Sequence, residues 1–512
     1  MWAAAALIAA GAALSASVGA SADPVPSPAA SPAAKPHARA GGTFSWGGNA
    51  RAFYFQRING NTCLGAGCDP KGTPNSSALN FGGKLHGQYT FAGSPWTIGA
   101  TYLGADPFGA NPPGVLGVGY NPLVDNTLPG YAISTLAESY LQYEASGITF
   151  KTGKEIINTP WANDSDSRMV PVSFQGTLLS AKVSPQLTLG AMYMARFKSR
   201  VTSAFNSNTL LTSCNTANPT GKGPIAGEPG TFTVEGDPCN PQQTTPGFAL
   251  FSATYDANGL TLNADQYQIY DLVSLTYADV KYSYERKSPT NPFVAAQYLA
   301  ESDTGRALLG TVRVHGSGFE FGESWGRNVD VAASYNQVPF STYVVTAADC
   351  SGDAASPSKI KTGTIFGGVP NASATWVPAG KVLCYGGGIA SPYTDNYETD
   401  PLFTTSIGQG LGDIHKGGTG VRLAFTIQTN DRRLKTILSE ARYDDSLPGT
   451  SSGASNSDVR TEANVDVQYF FSAVVPGRSY RGLSIRERWV NRNQTFSPFK
   501  FNYMRSQLEY DF

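Results

Sequence analysis

Charge is scarce in this chain. Asp, Glu, Lys and Arg make up 15% of its 512 residues, against the roughly 25% of an ordinary soluble domain. The 37 basic residues nearly cancel the 38 acidic ones, which argues against a nucleic-acid binder, since that class carries a basic patch or stripe. Histidine is rarer still. Its four copies, at positions 37, 86, 315 and 415, are too scattered to hold zinc. There is no Gly-x-Ser-x-Gly elbow and no triad order, so a hydrolase is disfavoured. Beyond residue 20 no apolar run reaches the ~20 residues that a membrane helix needs. Moderate hydropathy does not exclude a membrane protein, because half of every barrel strand faces water or a polar interior.

What the chain does have is glycine and aromatics, with Gly 56, Tyr 25 and Phe 26. Its first residues, Trp2 to Ala20, are apolar and end in Val18-Gly19-Ala20-Ser21-Ala22-Asp23. Small residues at Ala20 and Ala22 fit removal of a signal peptide, residues 1–22. The Pro/Ala-rich residues 23–44 read as a flexible periplasmic lead-in. Six cysteines fall in three neighbouring pairs, Cys63/Cys68, Cys214/Cys239 and Cys350/Cys384, each inside one Gly/Pro/Asn-rich stretch. Local pairing would staple three loops in an oxidising compartment. No pair has Cys-x₂-Cys metal spacing.

Alternation with period two marks strands. Between Gln186 and Lys198, residues Leu187, Leu189, Ala191, Tyr193, Ala195 and Phe197 share one face, and Thr188, Gly190, Met192, Met194, Arg196 and Lys198 share the other. Segments of this kind recur eighteen times over residues 45–512, including Trp46–Arg57, Leu309–Trp325, Val459–Phe471 and Phe499–Phe512. The connections alternate between short turns and loops of any length, and the loops hold every cysteine. The largest loops are 201–246 and 339–418. A soluble sandwich has no reason to segregate its loops this way. An outer-membrane barrel does, with short periplasmic turns and longer extracellular loops. The expected fold is therefore all-β: a transmembrane antiparallel β-barrel of 18 strands. Closure leaves no strand edge in lipid.

In the last strand Leu508, Tyr510 and Phe512 share one face. Ending on an aromatic in phase with lipid resembles the signal by which outer-membrane proteins are recognised by their assembly machinery. The run Asn163-Asp164-Ser165-Asp166-Ser167-Arg168-Met169-Val170-Pro171-Val172-Ser173-Phe174-Gln175-Gly176 resembles the N-D-S-R-x-x-P-x-x-F-x-G signature of the OprD family of outer-membrane porins. Asp400-Pro401-Leu402-Phe403 and Arg51–Arg57 also fit. The resemblance implies an 18-stranded, non-enzymatic channel in the outer membrane of a Gram-negative bacterium, monomeric or weakly trimeric. It implies no cofactor or metal, and small solutes that are often carboxylate-bearing, such as amino acids.

It also implies that loop 157–171 folds into the barrel and narrows it, opposite a row of basic side chains. By strand parity the inward candidates are Arg196, Lys198, Arg313, Arg422, Lys435, Arg486, Arg488 and Arg505, with Asp164, Asp166 and Arg168 on the loop. Arg168 is expected to pin the loop rather than contact solute. Facing carboxylates at Glu320, Asp330, Asp466 and Glu509 could cancel the basic field. Glu487 breaks the apolar outward pattern of Leu483, Ile485 and Trp489. Either it sits near an interface or the register of that strand is wrong. Partners would be solutes, outer-membrane lipid and lipopolysaccharide, and the assembly machinery, with no nucleic acid. The alternatives are an adhesin or structural barrel that binds through its large loops, and a barrel-type hydrolase.

Overall fold

The structure is a computed structural model that describes residues 42–59, 75–111, 128, 132–164, 168–200, 202–212, 244–284, 290–326, 328–350, 363–394, 399–412, 417–448, 458–472, 474–475, 480–494 and 501–512. Residues 1–22, expected to be a signal peptide, most of the expected lead-in 23–44, Asp166, Cys63, Cys68, Cys214 and Cys239 lie outside the described residues.

Among the described residues, twenty-one strands run in chain order: β1 Thr43–Asn59, β2 Ser76–Thr90, β3 Trp96–Asp106, β4 Ile133–Ala145, β5 Ile148–Glu155, β6 Ser173–Lys182, β7 Leu187–Lys198, β8 Phe248–Ala257, β9 Leu260–Ile269, β10 Val273–Ser283, β11 Thr290–Asp303, β12 Arg313–Trp325, β13 Val329–Val338, β14 Ser341–Val345, β15 Val369–Asn371, β16 Val382–Gly386, β17 Gly418–Gln428, β18 Leu434–Asp444, β19 Val459–Phe470, β20 Gly482–Gln494 and β21 Phe501–Asp511. Eighteen of them form one antiparallel sheet, each paired with its sequence neighbour, β13 passing directly to β17. The sheet closes on itself where β1 pairs with β21, Asn49 opposite Asp511 through Asn59 opposite Phe501. Every wall strand thus has a partner on both sides, and the backbone groups that lipid would leave unsatisfied are paired.

The turns follow from local chemistry. Ser146-Gly147 and Asn258-Gly259 join β4 to β5 and β8 to β9, with φ of 52° and 77°, and of 55° and 77°. Two consecutive positive φ values define the hairpin turn whose twist matches that of the flanking strands. Along the walls, exposure alternates. In β12 Phe319 and Phe321 are 60% and 65% exposed while Glu320 between them is 2% exposed. Aromatics therefore face lipid, and polar groups face inward.

Two strand pairs break phase, β3–β4, where Ala137 is the extra residue, and β6–β7. In the β6–β7 pair Gly176 lies opposite Met194, but Gln175 lies opposite Arg196, so Ala195 is an extra residue. A bulge of this kind shifts every later side chain to the other face. Phe197 turns inward against Phe174 and Tyr393. Gly176 sits at the slip, where an added Cβ would lie 2.0 Å from the Tyr193 carbonyl oxygen.

The long stretch between β13 and β17 is not a plain loop. Its strands β14, β16 and β15 form a small separate sheet in that order. A one-turn helix, α1 Ala347–Cys350, leads away from β14. A disulfide joins Cys350 to Cys384 of β16, and both residues are fully buried.

Candidate functional site

In their described residues, 156–164 and 168–172, and 389–394 and 399–412, two stretches between wall strands turn into the barrel. The first, residues 156–172 between β5 and β6, carries the signature. Trp161 is 1% exposed, and its backbone N–H donates to the Tyr267 hydroxyl of β9 at 3.2 Å. Met169 and Val170 pack with Phe53 and Phe55 of β1 and with Leu103 of β3. Arg51 of β1 donates to the Arg168 carbonyl at 3.1 Å. The stretch therefore leans on wall strands far from its own feet. Asp164 and Arg168 are 6% and 3% exposed, and the Asp164 carbonyl accepts from Val172 N–H at 2.8 Å.

The second, residues 389–412, lies between β16 and β17. It bonds in succession to walls along half the ring. Ala390 N–H donates to Glu301 of β11 at 2.8 Å, Thr404 N–H to Asn336 of β13 at 3.0 Å, and Gly408 N–H to Glu462 of β19 at 2.9 Å. Arg492 of β20 donates to the Gly408 carbonyl at 3.2 Å. The two stretches meet where Ala162 bridges Tyr393 and where Asn163 donates to the Thr399 carbonyl at 2.7 Å. Burial pushes the Tyr393 hydroxyl well above its ordinary pKa, so it stays a neutral donor.

The basic candidates divide. Arg486 and Arg488 both face inward and share one carboxylate. Arg486 grips Asp466 with two bonds of 2.9 and 2.6 Å, and Arg488 adds one of 3.1 Å. Arg505 lies on the same wall, its guanidinium over the rings of Phe55 and Tyr503 at 5.6 and 5.1 Å. Arg51, which parity reading left out, pairs with Glu509 at 2.9 Å, and Asn49 holds the same carboxylate. Arg422 is buried and inward, beside Glu320 and Glu462. Lys435 is half-buried on the inward face of β18.

Three candidates do not line the lumen. Arg196 is exposed on the outer face, because the extra residue Ala195 reverses the phase before it. Lys198 is wholly buried, its ammonium donating to the carbonyls of Pro171 and Ser199 at 2.9 and 2.8 Å, so it ties down the foot of the first stretch. Arg313 shares parity with Phe319 and Phe321 and is exposed on the outer face, 5.7 Å from the Tyr343 ring. The expected strand began at Leu309, but β12 begins at Arg313. Glu487 settles the other way. It faces outward between exposed Ile485 and Trp489, in register, and the Ser506 hydroxyl donates to it at 2.7 Å.

A second wall was missed. Asp265 of β9, Asp279 of β10 and Glu301 of β11 are buried and inward, and Asn263 donates to Asp279 at 3.2 Å. In a ring of eighteen, β10 lies nine strands from β1, so these acids stand across the barrel from Arg51, Arg486, Arg488 and Arg505. Their inward parity in short alternating strands was the available signal. Among the described residues no group of three or more His, Cys, Asp or Glu could hold a metal ion.

Comparison with known proteins bears on this geometry. Residues 134–342 match the family model described as outer membrane porin, OprD family. That stretch runs from β4 to the start of β14. Solved structures of such channels superimpose over nearly their whole length. A BenF-like porin from Pseudomonas fluorescens Pf-5 has a TM-score of 0.62 at 12% identity, covering 92% of this chain and 98% of that one. OpdK of Pseudomonas aeruginosa with vanillate has a TM-score of 0.60 at 14% identity, covering 92% and 98%. OpdF of the same organism in complex with glucuronate has 0.60 at 14%, covering 93% and 99%. A search of curated protein sequences finds no match. Fold and family model agree with a porin of the bacterial outer membrane.

Proposed function

We propose that this barrel is a passive diffusion channel for small hydrophilic solutes bearing a carboxylate, amino-acid-like ones included. The observation that carries the reading is the division of inward charge. On one wall Arg51, Arg486, Arg488 and Arg505 outnumber their carboxylates, Asp466 and Glu509. On the opposite wall stand Asp265, Asp279 and Glu301. The stretches 156–172 and 389–412 narrow the passage between them. A solute with both charges is oriented by such a field, its carboxylate toward the guanidinium groups. Each contact stays weak and replaceable, because a tight site would not release the solute. Vanillate and glucuronate, held by two of the similar structures, are both carboxylates, which supports the solute class. The lipid-facing aromatics fit contact with outer-membrane lipid.

Single-channel recording in a planar bilayer tests this. The channel should conduct, favour anions, and lose at least half of that preference when Arg486 and Arg488 are both changed to Gln. A silent barrel, or selectivity untouched by the double change, would end the reading.

A further inference from the structure

The same bulge that removes Arg196 from the lumen builds something on the outside. Partners directly opposite in a sheet point to the same face. Lys154 of β5 is opposite Gln175 of β6, and Gln175 is opposite Arg196 of β7. The three form one continuous row on the outer face, at the extracellular ends of their strands. Strands are about 4.8 Å apart, so the two cations stand roughly 10 Å apart at the backbone, with an amide between them. One rung toward the periplasm, the hydroxyls of Thr152 and Thr177 meet at 2.8 Å. The next rung is apolar, with Phe150, Leu179, Ala191 and Phe251 side by side. Phe205 lies 4.8 Å from the Lys154 ammonium.

These cations differ from those of the interior. Arg51, Arg486 and Arg488 each hold a carboxylate. Neither Lys154 nor Arg196 has a carboxylate partner among the described residues, and no Asp or Glu shares their face in the outer half of β4 to β8. An unpaired charge on the lipid face of a barrel costs up to about 2–4 kcal/mol at mid-depth and little at the interface. An anion anchored in the membrane would offset that cost.

We propose that Lys154, Gln175 and Arg196 bind the phosphate of an outer-leaflet glycolipid, lipopolysaccharide, whose acyl chains lie against the apolar rungs below. The apolar rungs select the lipid over free phosphate. The site rests on the outer-membrane reading of the barrel and not on conduction. A barrel that retains the lipid but passes no current would sink the channel reading alone.

The experiment is native mass spectrometry of the purified full-length barrel with bis-phosphorylated lipid A, the same lipid stripped of phosphate, and inorganic phosphate as competitor. The combined Lys154→Gln and Arg196→Gln variant should bind the phosphorylated lipid at least tenfold more weakly. The Arg442→Gln variant, which removes an outward cation on β18 flanked by Glu440 and Asp444, should bind normally. The stripped lipid should bind wild type no better than phosphorylated lipid binds the double variant. The combined Lys154→Arg and Arg196→Lys exchange keeps both charges and should retain binding, which guards against a folding defect in the Gln variant. Equal retention by the double Gln variant, loss of binding in the charge-keeping exchange, or complete displacement by millimolar inorganic phosphate would each overturn the assignment.

Discussion

Asn163 donates a 2.7 Å hydrogen bond to the Thr399 carbonyl, 236 residues further along the chain. That bond ties the two inward stretches to one another above the lumen. Changing Asn163 to Ala removes the tie, a loss of about 0.5–1.5 kcal/mol for one side-chain hydrogen bond. Single-channel traces should then show a noisier open level, with a larger or more variable conductance. Traces indistinguishable from wild type would mean that the two stretches are held by their wall contacts alone.

The acidic wall should act in the opposite sense to the basic one. Changing Asp265 and Asp279 together to Asn keeps size and hydrogen bonding but removes charge. Anion preference should rise, by about twofold in the reversal-potential permeability ratio if each group contributes a fraction of a kcal/mol. A fall would show that these acids do not act as negative charges on the permeating ions.

At the bulge, Gly176→Ala places a methyl group on the Tyr193 carbonyl oxygen. The β6–β7 pair must then shift or reopen, a loss of about 1–3 kcal/mol in folding stability. A lowered urea midpoint of refolding into lipid vesicles would register it. An unchanged midpoint would mean that the slip is freely adjustable.

Glu487 exposes a carboxylate to lipid, satisfied by Ser506 at 2.7 Å. Leu in its place should stabilise the barrel by up to about 2 kcal/mol. Ser506→Ala should destabilise it, since the carboxylate loses its donor. If Glu487→Leu weakens the barrel or dissociates an oligomer, the outward carboxylate has a protein partner.

Reduction of the Cys350–Cys384 disulfide should loosen the sheet of β14, β16 and β15 and leave the barrel intact. The bond closes a loop of 34 residues, equivalent to about 3–4 kcal/mol of chain entropy. Limited proteolysis under reducing conditions should cut within residues 339–388 first, while the heat-modifiable mobility of the barrel persists.

The wall was legible because a half-buried strand must alternate, and because Ser146-Gly147 and Asn258-Gly259 can do little but turn. All eighteen wall segments stand where alternation put them, with ends displaced by a few residues, as at Leu309. The interior was less legible. Arg486 and Arg488 were placed inward by their flanking Ile485 and Trp489. Arg196 was placed inward as well and lies outside, because a one-residue bulge leaves no mark in a pattern of period two. The stretch 389–412 read as outer loop because irregular backbone has no periodicity. Its burial is decided by distant partners such as Glu301, Asn336 and Glu462, which only the closed ring brings near. Asp265 and Asp279 had the right parity, but only the closed ring sets them and Glu301 on one wall across from the arginines.

Ala195 is in effect a phase shifter. Deleting this single small residue would let β7 keep step with β6 along its whole length. With Ala195 gone, Arg196 would follow Met194 directly and stay opposite Gln175 on the outer face. Were Ala195 instead taken into the ladder opposite Gln175, Arg196 would swing into the channel and Phe197 out into the acyl chains, so the slip decides whether this guanidinium greets a solute or a lipid.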